Sequence, residues 1–80
     1  MDRAEVRKIV LETVADELGI PEEQVTDESR LMEDLNADSL DLLEIIMDLE
    51  KKFNYNIPDD DVEGLTTIKA VIAYLQGKII

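Results

Sequence analysis

Apolar residues in this chain recur at intervals of three and four, and no stretch reads as a clear strand. Val6, Ile9, Val10, Thr13, Val14 and Leu18 form one such set, Leu42, Ile45, Ile46, Leu49 and Phe53 a second, and Ile68, Val71, Ile72 and Leu75 a third. That period puts each set on one stripe of an α-helix. The stripes must pack on one another, so the pattern predicts an all-α bundle. With 80 residues there is material for a single domain, 1–80, and one modest core. A chain this short buries roughly 60% of its unfolded surface. It has no cysteine for disulfides and no Cys/His set for zinc, so packing must supply the stability.

Local signals set the expected boundaries. Asp2 with Glu5 reads as a capping box opening a helix from about Arg3 to Leu18, and Gly19 followed by Ile20-Pro21 ends it. A connection over residues 20–38 follows, long for a compact domain. Its Val25, Leu31, Met32 and Leu35 predict that it tucks against the bundle. A second helix spans about Ser39 to Phe53, with Asp38 or Ser39 as N-cap and Lys51 and Lys52 near the C-terminus, where the dipole favours cations. A short third helix is expected within Pro58–Leu65, since proline suits a first turn and Asp59, Asp60 and Asp61 suit a helix start. A fourth runs from about Thr66 to Gly77. The expected fold is a small four-helix bundle: three longer helices, one short third helix, and a long loop between the first and second.

The charge narrows the function. The net charge is −12, and residues 33–63 alone hold eleven acids against two lysines. Nucleic acid and anionic membrane surfaces would repel such a chain. A basic protein partner fits instead, because opposite fields speed encounter. An even coat serving solubility would not concentrate the acids in one stretch. The absence of histidine removes His-based acid–base and triad chemistry, and the chain reads as a non-enzyme. No apolar run approaches a membrane span and no signal peptide is visible, so the expectation is a soluble cytoplasmic monomer.

The second helix carries apolar residues on two sides. With Leu42 at zero and ~100° per residue, Leu42, Ile45, Ile46, Leu49 and Phe53 share the core side. Leu40, Leu43 and Met47 fall on another side, bordered by Asp41, Glu44 and Asp48. A surface helix needs only one apolar stripe. Two readings follow: the long loop covers Leu40 and Leu43, or the strip is a docking surface with an acidic rim.

At the head of this helix stands Asp34-Leu35-Asn36-Ala37-Asp38-Ser39-Leu40-Asp41. It resembles the carrier motif of the acyl carrier proteins, specifically those standing free in fatty acid synthesis. Phe53 to Pro58 with Asp59-Asp60-Asp61, and Thr66-Thr67-Ile68 with Ala73-Tyr74-Leu75, resemble the same family's later helices. The family usually has glycine where this chain has Asn36, a residue that also tolerates positive φ. Lys51 and Lys52 stand where the family is often acidic. The resemblance implies that Ser39 receives 4′-phosphopantetheine from coenzyme A. It implies a separate phosphopantetheinyl transferase, with Asp38 helping to hold magnesium in that complex and no metal site of the chain's own. A serine hydroxyl needs a base or metal to attack, and this chain has no histidine to serve. The resemblance further implies docking of Asp38, Leu40, Asp41, Leu43, Glu44, Met47 and Asp48 on basic patches of fatty acid synthesis enzymes. It places an acyl tail between the second and third helices, among Ile46, Leu49, Ile57, Val62, Leu65, Val71 and Leu75.

Three other readings bear on these residues. Asp59, Asp61, Glu63 and Gly64 mimic the opening of a calcium-binding EF-hand loop, but the twelfth position, which needs a bidentate Glu, is Ala70. A polyketide, aminoacyl or other specialised carrier would share the motif. An unmodified acidic adaptor would explain the charge and the two-sided helix, but not the motif at its start.

Overall fold

The computed structural model describes residues 1–80: four α-helices, a single 3₁₀ turn and no strand. They are α1 (Arg3–Leu18), α2 (Ser39–Phe53), α3 (Asp59–Val62) and α4 (Ile68–Ile79). One continuous cluster of buried apolar side chains joins α1, α2, α4 and both long connections, giving an all-α four-helix bundle. Val6, Val10, Val14, Ile45, Leu49, Ile68, Val71 and Leu75 are wholly withdrawn from solvent. Burial of each Leu or Ile in this set favours the folded state by about 1.5–3 kcal/mol relative to exposure.

The first helix starts at Asp2, whose Oδ1 accepts from the Glu5 amide at 2.8 Å. The reciprocal bond expected from the Glu5 side chain is not made, so this is a simple cap. Gly19 ends the helix in the left-handed region (φ 65), and the Gly19 and Ile20 amides both donate to the Ala15 carbonyl. Asn54 ends α2 in the same way with φ 51. The apolar stripe of α1 also carries Thr13, fully buried. Its hydroxyl donates to the Ile9 carbonyl at 2.7 Å and accepts from Lys52 Nζ at 2.8 Å, tying α1 to the end of α2.

The connection over residues 20–38 is pinned in place. Val25 and Leu31 are buried and Leu35 packs half-buried on the core, but Met32 is 47% exposed and does not tuck in. What the sequence did not disclose is the backbone stitching. Leu31 N–H donates to Thr66 C=O at 3.0 Å, Ile68 N–H to Ser29 C=O at 3.0 Å and Lys69 N–H to Asp27 C=O at 2.9 Å. These bonds form an isolated antiparallel bridge at Arg30 and Thr67. They hold Thr67 extended as the N-cap of α4, so that helix starts at Ile68 rather than near Thr66, and it continues through Gly77 to Ile79. Arg7 on α1 adds an ion pair to Asp27 at 2.7 Å.

The short helix is one turn, Asp59–Val62, inside the expected Pro58–Leu65 window. Its Val62, expected beside the acyl tail, and the Leu42 of α2, expected in the core, are half-buried. They face a common groove.

Candidate functional site

The approach to Ser39 is set by the turn before it. Asp34 Oδ2 accepts from the Arg30 amide at 2.8 Å, and Arg30 also pairs with Glu33. The Arg30 amide and guanidinium together hold the Asp34 carboxyl below its ordinary pKa. The chain then reverses at Asn36, whose φ of 59 is the left-handed conformation a glycine would adopt. Ala37 N–H donates to Leu31 C=O and its methyl enters the core. Asp38 and Ser39 are thereby carried out to the surface.

The N-cap of α2 is Asp38. Its Oδ1 accepts from the Asp41 amide at 2.8 Å, while Asp41 Oδ2 accepts from the Asp38 amide at 3.2 Å, a full capping box. Ser39 therefore has no part in capping. Its hydroxyl is exposed in the first turn of a 15-residue helix, and the amides of Ser39 and Leu40 have no acceptor within the chain. Free amides at a positive dipole end suit a phosphate, so these residues fit a phosphodiester on Ser39. The other serine, Ser29, is 8% exposed, and its hydroxyl accepts from the Thr26 amide and bonds the Thr26 hydroxyl.

A groove of about 380 Å³ runs between α2 and α3 with Ser39 among its lining. Its α2 wall is Leu42, Leu43, Ile46, Met47 and Glu50, and its other wall is Ile57, Asp59 and Val62. From Ser39 to Glu50 the helix rises about 16 Å. Glu50 Oε2 accepts from the Ile57 amide at 2.8 Å, which fixes the far end of the groove. A second hollow of about 490 Å³ lies between Arg30–Glu33 and Glu63–Thr66, and it shares Leu42 and Val62 with the first. Of the tail-site residues expected from the sequence, Ile46, Ile57 and Val62 line the first groove and Val62 and Leu65 the second. Leu49, Val71 and Leu75 line neither; they are 0% exposed in the closed core.

The loop does not cover the second apolar strip of α2. Leu40, Leu43 and Met47 are 62%, 54% and 47% exposed. Glu44 lies open beside them, and Asp41 and Asp48 are half-exposed. One acid of this neighbourhood was missed by sequence reasoning. Glu17, in the last turn of α1, has its pKa pushed up to about 7, first by its hydrogen bond with Asp48, then by burial, then by the charges of Asp48 and Glu44. The acidic border of α2 thus extends onto α1. No helix is long and apolar enough to cross a membrane.

The family model described as "Phosphopantetheine attachment site" matches residues 8–75. The acyl carrier protein of Rubrobacter xylanophilus is 47% identical over 75 residues, covering 94% of this chain and 93% of that one. The acyl carrier protein of Helicobacter hepaticus is 46% identical over 77 residues, covering 96% and 97%. Among solved structures, the acyl carrier protein from Enterococcus faecalis superposes with a TM-score of 0.80 at 35% identity, covering 96% of this chain and 98% of that one. The chain belongs to the acyl carrier protein family, whose members carry a covalently attached phosphopantetheine.

Proposed function

We propose that Ser39 bears the phosphopantetheine and that the protein carries growing acyl chains on this arm, as thioesters, to the enzymes of fatty acid synthesis in the cytoplasm. The observation that carries this reading is the position of Ser39: exposed, released from capping by Asp38, beside two free amides, and lining the groove between α2 and α3. In the attachment step Ser39 Oγ forms a bond to a phosphorus of coenzyme A, the bond from that phosphorus to the nucleotide portion breaks, and the hydroxyl proton leaves to a base. The chain places no histidine or other base on the hydroxyl, so a separate transferase supplies it. Asp38, exposed next to Ser39, is the carboxylate that would help hold magnesium in that complex. When bound, the arm supplies the thiol that this cysteine-free chain lacks.

The strip of Leu40, Leu43 and Met47 supplies contact area for partners, and Asp41, Glu44 and Asp48 draw their basic patches into register. The protein acts as a monomeric carrier, and catalysis resides in the partners. An acyl tail lying in the groove among Leu42, Ile46, Ile57 and Val62 gains about 0.8 kcal/mol per buried CH₂. Part of that is offset by the work of widening close packing. The test of attachment is incubation with coenzyme A, magnesium and a carrier-protein synthase, followed by peptide mapping. The expected result is one phosphopantetheine on the peptide containing Ser39 and none on Ser39→Ala. Modification on Ser29 would overturn the assignment, and that residue is held buried against Thr26.

A further inference from the structure

Little holds α3 to the rest of the molecule. None of its four residues is fully buried, and no side chain caps its N-terminus. Its one side-chain hydrogen bond runs from Tyr74 Oη on α4 to Asp61 Oδ2, at 2.6 Å. Tyr74 is itself well fixed. Its ring meets Tyr55 edge-on with centroids 6.4 Å apart, Lys78 Nζ lies 5.6 Å over its face, and the two tyrosine hydroxyls are 3.5 Å apart. Burial, and then the Asp61 bond, push the Tyr74 phenol above its ordinary pKa, which keeps it a donor. The residue after Asp61 is Val62, which walls the groove together with Asp59.

We propose that Tyr74 is a positioning residue for the acyl tail: through Asp61 it latches α3 against α4, sets how far Val62 stands from α2, and so selects the tail length the groove holds best. The bond ties α3 to α4, none of whose residues lines the groove, so losing it removes an anchor of the wall and frees it to swing outward. A latched wall suits a medium tail; a released wall admits a longer one but encloses the medium one poorly. This inference rests on reading the groove as the tail site.

The test uses bare-arm, octanoyl and myristoyl forms of the wild type, Tyr74→Phe, Asp61→Ala and Asp61→Asn. Melting temperature is read for each, together with amide exchange at Val62, Gly64 and Leu65, whose N–H groups close the turns of this segment. In Tyr74→Phe and Asp61→Ala, exchange at these amides should rise roughly tenfold, the change expected for one lost hydrogen bond to a carboxylate. The gain in melting temperature on octanoylation should shrink, and the gain on myristoylation should grow. Asp61→Asn keeps an acceptor and should stay near the wild type. A merely structural role would lower the bare and acylated forms together and leave the gap between them intact; that result, with octanoyl gain present in the wild type, refutes the latch alone. Absence of any acyl gain in the wild type would instead remove the tail site, and the latch's role with it.

Discussion

The cap of α2 separates what holds the helix from what receives the arm, and three variants divide the two. Asp38→Ala removes the bond from Asp41 N–H to Asp38 Oδ1 at 2.8 Å and leaves Asp41 Oδ2 only the backbone amide of residue 38, at 3.2 Å. Loss of an Asp cap costs about 0.5–2 kcal/mol. At about 1 kcal/mol, a domain of this size should melt about 4–8 °C lower. Ser39 makes no capping bond and its side chain is exposed, so Ser39→Ala should stay within about 0.5 kcal/mol of the wild type. Asp38→Asn keeps a good cap and should melt near the wild type, while losing the carboxylate assigned to magnesium and loading more slowly. The assay is thermal melting of the unmodified proteins by circular dichroism, paired with the initial rate of loading by a synthase. Stability should fall in the order Ser39→Ala, Asp38→Asn, Asp38→Ala, whereas loading should be absent in Ser39→Ala alone. If Ser39→Ala lost as much stability as Asp38→Ala, the serine would be the cap and the separation argued here would be wrong.

Further expectations follow from the charges and the backbone. Glu17 has a folded pKa of about 7, above its ordinary 4.5, so between those values the folded state binds the extra proton and stability falls as pH rises through the window. Glu17→Gln should therefore flatten the melting profile from about pH 4.5 to 7 and raise the melting temperature above it; an unchanged profile would remove the coupling to Asp48. Glu44→Lys should slow association with a basic partner enzyme in stopped-flow, with wild-type binding weakened by salt, while Lys69→Glu on α4 has little effect. Equal effects at both positions would mean that net charge alone acts. Asn36→Gly should preserve the turn at φ 59, and Asn36→Ala should cost about 1–2 kcal/mol in denaturant unfolding, a difference that vanishes if the turn simply relaxes.

The parts of this fold that were legible are those set by neighbours in sequence. Asp2, Gly19 and the stripe from Val6 to Leu18 bound α1 because caps and periodicity are local. The second apolar strip of α2 was legible as a strip, but whether the loop covered Leu43 depended on where residues 20–38 lie, and the structure leaves it exposed. Non-local bonds were not legible. The start of α4 shifts to Ile68 because Thr66 C=O is engaged with Leu31 thirty-five positions earlier. Met32 looked like loop anchorage by its hydropathy, yet it sits at the rim of the second hollow with nearly half its surface open. Among the tail-site residues, apolar character could not tell groove from core: Leu42 was assigned to the core and lines both hollows, while Leu49, Val71 and Leu75 are sealed inside. Glu17 and the Tyr74–Asp61 bond join separate helices, and no spacing along the chain announces either pairing.

The central claim is that this protein carries acyl groups on an arm at Ser39, and the most direct measurement is mass analysis of the protein isolated from its own host under conditions that preserve thioesters. Intact mass should exceed that of the unmodified protein by one phosphopantetheine, with a fraction heavier still by saturated or 3-oxygenated acyl groups differing in two-carbon steps, and fragmentation should place the whole addition on Ser39. Protein accumulating without the arm, or bearing it on any residue other than Ser39, would contradict the account; an arm on Ser39 loaded with aminoacyl groups would leave the attachment site standing and overturn the assignment to fatty acid synthesis.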